Sequence, residues 1–173
     1  VNVLREICEK NQIRALTERS RSGHGAHIWI FFEKAISAEK ARKFGDALLE
    51  KGAESVNLKT FQSYDRMIPA QNHLPEGGLG NLIALPLQGQ ALKKGNSAFI
   101  DKNWKPFANQ WKQLGKVQRL SEEFVDNCIK EWVEQEKTSM VEEIPKPWKK
   151  RTMTFNPKDL DGKLQVILAN RVY

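Results

Sequence analysis

Two stretches of this 173-residue chain place reactive residue types close together. The first is Ser22-Gly-His-Gly-Ala-His27, which runs into the apolar Ile28-Trp-Ile-Phe-Phe32. Glycines let backbone N–H groups come close to a phosphate and form an anion nest. A serine hydroxyl and an imidazole at the rim add side-chain donors, and a strand would hold His27 steadily toward a ligand. This is chemistry for gripping a phosphate. It is not a Walker A loop, because no Gly-Lys-Ser/Thr follows. The competing reading is a plain hairpin turn whose histidines are incidental.

The second stretch is Ser63-Tyr-Asp-Arg-Met-Ile-Pro-Ala-Gln71, followed by Gly77-Gly-Leu-Gly-Asn-Leu-Ile-Ala-Leu-Pro-Leu87. Asp65 falls late in an expected strand, where a carboxylate can hold a divalent cation over a cleft. The alternative is a surface aspartate paired with Arg66. Zinc is disfavoured: His24, His27 and His73 are the only histidines, neither cysteine is near them, and zinc takes three or four ligands. Basic and aromatic residues interleave at Trp104-Lys105, Trp111-Lys112 and Trp148-Lys149-Lys150-Arg151. Such runs can stack bases and meet phosphates, or the tryptophans can simply pack.

These groups need a scaffold, and the periodicities describe one. Val3, Leu4, Ile7 and Cys8 recur at helical spacing. Residues 13–20 and 27–32 read as strands joined by the glycine turn, a hairpin. Ser37 is an N-cap for a helix with Ala41, Phe44, Gly45, Leu48 and Leu49 on one face, ended by Gly52. Residues 56–68 contain a strand ending at Pro69. Asn81–Leu87 and Ser97–Ile100 are two further strand candidates. Ser121 caps the clearest helix, with Phe124, Val125, Cys128, Ile129, Trp132 and Val133 as its stripe. Beyond about residue 137 a proline-containing basic linker is expected, and Leu164–Ala169 reads as a strand opening something new.

Net charge is +7, which favours acidic partners such as nucleic acid or nucleotides. No apolar run approaches the roughly 20 residues of a membrane helix, and the N-terminus lacks the features of a signal peptide. Cys8 and Cys128 sit on apolar helical faces, so buried thiols in a reduced cytoplasm are expected rather than a disulfide.

Taken in order, the motifs resemble archaeo-eukaryotic primases, in the branch found in TOTE conflict systems. Ser22-Gly-His-Gly-Ala-His27 is similar to that family's second motif, and Asp65 to its third. Ile68-Pro-Ala-Gln71, Gly77 to Pro86, Asn96-Ser-Ala-Phe-Ile-Asp101 and Gln110-Trp111 resemble the branch, as does Gln165 to Tyr173. The resemblance implies an α/β (α+β) fold, a partial primase core with a mainly antiparallel, RRM-like sheet flanked by helices. It implies a primase-polymerase nucleotidyltransferase inside a multidomain primase–helicase defence protein. It further implies that Ser22, Gly23, Gly25 and His27, with His24 weaker, bind the phosphates of a nucleotide triphosphate. By the same resemblance Asp65 holds a divalent metal, Mg or Mn, and DNA or RNA is a partner. The expected organisation is a partial catalytic core over 1–120, a closing helix over 121–143, and a linker plus the start of a helicase-like region over 144–173. The family's first motif, an Asp-x-Asp pair, is expected upstream of Val1. The only such pair here, Asp159-Leu-Asp161, is out of order and reads as a polar turn. This chain alone is therefore expected to be inactive. A non-catalytic single-strand-binding module is the alternative, and a metal-dependent phosphoesterase a more distant one.

Overall fold

Two serine caps set the principal helices. The Ser37 hydroxyl accepts from the Lys40 N–H at 3.1 Å and opens α2 (Ala38–Ser55). The Ser121 hydroxyl does the same for Phe124 at 3.1 Å and opens α5 (Glu122–Thr138). Each bond satisfies one of the orphan N–H groups of a first helical turn. A shorter helix, α1 (Asn2–Lys10), buries Leu4, Ile7 and Cys8. Gly52 does not end α2; it is buried and the helix runs three residues further. The computed structural model describes residues 1–55, 64–74, 76–78, 80–138 and 164–169.

The four strands are β1 (Leu16–Arg19), β2 (Ala26–Phe31), β3 (Tyr64–Ile68) and β4 (Leu164–Ala169). They form one mixed sheet in the order β1-β2-β4-β3. The expected hairpin is present: β1 and β2 are antiparallel, with Leu16 opposite Trp29 and Glu18 opposite His27. The mainly antiparallel sheet is not. β4 runs parallel to both β2 and β3. Leu164–Ala169, expected to begin a following region, is instead an interior strand of this sheet. Val166, Ile167 and Leu168 are buried, and an unbroken apolar run of this kind suits a parallel strand covered on both faces.

One face of the sheet packs on α1, α2 and α5. Ile28, Ile30, Met67, Val166 and Leu168 meet Leu4, Phe44, Leu48, Val125 and Trp132 there. Phe44 stacks on Trp132 at 5.8 Å and meets Phe32 edge-on at 6.4 Å. At Gly45 a Cβ would lie 2.1 Å from the Met67 sulfur and 2.9 Å from Leu168, so α2 approaches β3 and β4 at glycine contact. Burial pushes the Cys8 thiol up to about 12 and that of Cys128 up to about 11. Both are free and buried, as expected of the sequence.

Residues 83–114 cover the other face. Ile83, Leu87, Phe99, Phe107 and Leu114 pack on Leu16, Trp29, Phe31 and Ile167. This layer contains α3 (Gly89–Leu92) and α4 (Gln110–Gly115), neither of which the periodicity shows. Ser97–Ile100 joins the edge of β1 through Arg19 N–H to Ala98 C=O and Ile100 N–H to Thr17 C=O, both 2.9 Å. Gln110 clamps it by accepting from Phe99 N–H at 2.7 Å and donating to Phe99 C=O at 3.0 Å. Asn81–Leu87 is not a strand. Leu82 and Leu85 are exposed there, and Pro86 has no N–H to give a ladder. No helix among the described residues is long and apolar enough to cross a membrane.

Candidate functional site

The hairpin turn between β1 and β2 places the first motif at the rim of the covered sheet face. Gly23 has φ +86°, a left-handed conformation, and a Cβ there would lie 2.9 Å from the Asn96 side chain. Three backbone N–H groups of the turn are used within it. Gly23 N–H donates to Ser20 C=O at 3.0 Å, His24 N–H to the Ser22 hydroxyl at 3.4 Å, and Gly25 N–H to the Ser20 hydroxyl at 2.9 Å. The N–H groups of Gly23, His24 and Gly25 thus brace the turn rather than form an open nest. Side chains are left to meet a ligand, those of Ser22 and His27 first. The Ser22 hydroxyl lies 3.1 Å from that of Ser20 in an exposed part of the turn.

His27 stands on β2 and is held from behind. Its Nδ1 lies 3.0 Å from an oxygen of Glu18, the residue directly opposite on β1. The same Glu18 oxygen accepts from Trp29 Nε1–H at 2.7 Å, and its second oxygen accepts from the Ser97 hydroxyl at 3.2 Å. Facing residues and their diagonal neighbours are in reach across an antiparallel pair, so one carboxylate serves both His27 and Trp29. Glu18 is buried to 2% exposure and Ser97 to 0%. Burying a carboxylate without partners is costly, and three donors offset that cost here. Ser97 is itself held at φ 51°, unusual for a residue with a side chain. Glu18 lies in none of the motifs, and Ser97 lies in the Asn96–Asp101 stretch with no role assigned to it.

Asp65 lies elsewhere on the sheet. β4 separates β3 from β2, and a bulge between Tyr64 and Arg66 brings Arg66 opposite Gln165, the same β4 residue that His27 faces from the other side. The Asp65 carboxylate lies 3.4 Å from Arg66 Nε, the expected pairing of the alternative reading, but it is largely shielded and not at the surface. Among the described residues no three His, Cys, Asp or Glu side chains converge to hold a metal ion. Nor do the described residues assemble the bridging carboxylates of a two-metal centre.

The covering layer concentrates the charge. Residues 93–119 hold seven Lys or Arg and one Asp, most of the chain's net +7. Lys93, Lys94, Lys102, Lys105, Lys112, Lys116 and Arg119 are all exposed. Trp111 is 71% exposed on α4, and Trp104 is 37% exposed. Arg19 ties this layer to β1 by donating to the carbonyls of Gly95 and Trp104. Trp104, Lys105, Trp111 and Lys112 therefore share one basic layer beside the glycine turn. Trp148, Lys149, Lys150 and Arg151, like Asp159 and Asp161, lie outside the described residues.

An α/β sheet with a serine-histidine hairpin at its rim and a basic covering layer suits a nucleotide-handling domain. The model of one such family, the TOTE conflict system archaeo-eukaryotic primase domain, matches residues 1–128. The chain belongs to that family, which is of the primase-polymerase type. No curated protein matches it.

Proposed function

We propose that this chain is the nucleotide- and strand-binding part of a primase-polymerase nucleotidyltransferase, working within a larger primase–helicase defence protein. Ser22 and His27 receive the triphosphate, with Gly23 and Gly25 shaping the turn that presents them and His24 a lesser contributor. A single nucleic-acid strand lies along Trp104, Lys105, Trp111 and Lys112. Asp65 is the carboxylate we assign to a divalent cation, Mg or Mn, which would screen the phosphates if further carboxylates joined it. The observation that carries the reading is the anchored His27. A buried carboxylate holds the Nδ1 edge of its ring at 3.0 Å, beside a turn whose Gly25 N–H is tied to Ser20 and whose Ser22 hydroxyl is exposed. A second reading, a non-catalytic single-strand-binding module, is favoured by the basic layer, which functions with or without chemistry at the hairpin.

Calorimetric titration with ATP or dATP, with and without MgCl2, tests the nucleotide site. His27→Ala and Ser22→Ala should each weaken binding by about ten- to hundredfold, the worth of one hydrogen bond to a charged group. Thermal unfolding of Ser22→Ala should stay close to that of the parent protein, because Ser22 is exposed, whereas His27→Ala takes one of three donors from the buried Glu18 and should cost about 1–3 kcal/mol of stability. Unchanged affinity in both variants would refute the assignment and leave the binding-module reading in its place.

A further inference from the structure

Glu18 has no role in any motif, yet it is the most thoroughly satisfied charged side chain in the sheet. It is nearly fully buried, lies opposite the one histidine on β2, and takes hydrogen bonds from His27, Trp29 and Ser97. A carboxylate only accepts hydrogen bonds, so the His27 nitrogen facing it must be the N–H donor. We propose that Glu18 is the positioning residue of His27. It commits Nδ1 to donation inward and turns Nε2 away from the carboxylate as the nitrogen that meets a ligand phosphate. This deepens the nucleotide-binding reading above and rests on it for the identity of the ligand.

Three observations support the assignment. No described residue is hydrogen-bonded to Nε2, so only one of the two ring nitrogens is used by the fold. The carboxylate cannot swing away, because Trp29 and Ser97 hold both its oxygens. Ser97 is in turn fixed by backbone bonds on both sides, from its N–H to Ser20 C=O at 3.3 Å and from Leu87 N–H to its C=O at 2.6 Å. The chain thus braces His27 through a buried acid. With Nδ1 donating, Nε2 can donate to a phosphate only when the ring is cationic, and the carboxylate behind it is the matching counter-charge.

The test reads the ring directly. In nitrogen-15 NMR of the unliganded protein, the neutral His27 ring should carry its proton on Nδ1, whereas histidine free in water prefers Nε2. Glu18→Ala should move the proton to Nε2. Glu18→Gln should keep it on Nδ1. Its amide oxygen can accept from His27 and Trp29 while its NH2 donates to the Ser97 hydroxyl, so the geometry survives without the charge. Titration with ATP and MgCl2 gives the second readout. Glu18→Ala should lose about ten- to hundredfold in affinity and Glu18→Gln less than about tenfold. Adding His27→Ala to Glu18→Ala should weaken binding no further, since both act through one group. A parent protein with the proton on Nε2, or a Gln variant that shifts the tautomer as Ala does, would overturn the proposal. If the tautomer behaves as stated but ATP does not bind the parent protein, the nucleotide assignment fails and the positioning role of Glu18 stands.

Discussion

A single-stranded DNA or RNA oligomer should bind this protein with an affinity that falls about fiftyfold between about 50 mM and about 200 mM salt. Residues 93–119 expose seven cationic side chains in one layer. If about four meet phosphates, each contributes a slope of about −0.7 in log affinity against log salt, and the fall follows. Charge and stacking separate cleanly by mutation. Lys112→Ala and Lys116→Ala should each flatten the slope by about 0.7 while weakening binding at low salt. Trp111→Ala should leave the slope alone and lower affinity by about 1–3 kcal/mol, the loss of one base stacked on an indole. Lys43→Ala removes an equally exposed cation from α2, where Lys43 pairs with Glu39 at 2.9 Å, and should change neither. Fluorescence anisotropy across a salt series measures all four. A slope unchanged by either lysine substitution would place the strand elsewhere on the surface.

The sequence exposes those parts of the fold that local chemistry sets. Ser37 and Ser121 were legible as caps because a hydroxyl three or four residues ahead of an apolar stripe has one useful partner, and both make that bond. The hairpin was legible from its glycines, and Glu18 could have been found with it. Once Arg19 pairs with Ala26 across the turn, counting back one residue on each strand sets Glu18 against His27. A charged residue facing inward on a short strand was the available signal. What stayed hidden was non-local. Leu164–Ala169 reads as a strand from its apolar run, but nothing in that run says that it enters between β2 and β3. That insertion makes the sheet mixed and sets Asp65 two strands away from His27. Conversely, Asn81–Leu87 has the composition of a strand and no ladder: in the layer over the sheet Leu87 and Ile83 are half-buried, while Leu82 is left to solvent. Apolar content alone could not separate these two runs.

Phe44→Ala should destabilise the protein by about 3–5 kcal/mol, the usual loss for a buried aromatic replaced by a methyl group. Phe44 is fully buried and joins three elements: its own helix α2, Trp132 of α5 at 5.8 Å, and Phe32 just past β2 at 6.4 Å. A neighbouring side chain cannot readily fill the hole. The next residue, Gly45, already sits at glycine contact with Met67 and Leu168, so α2 has little freedom to move inward without driving its backbone into β3 and β4. The cavity term should therefore be retained rather than relaxed away. For a chain of this length a loss of that size lowers the unfolding midpoint by roughly 6–20 °C, a large share of the usual 5–15 kcal/mol of total stability. Leu82→Ala is the matched control. It also removes a large apolar side chain, but one 93% exposed, and should stay within about 0.5 kcal/mol of the parent. Thermal and urea unfolding of both variants measures the difference. A Phe44 variant as stable as the Leu82 one would mean that α2 and α5 do not pack on the sheet through this ring. The face of β2 opposite His27 would then lack the support described here.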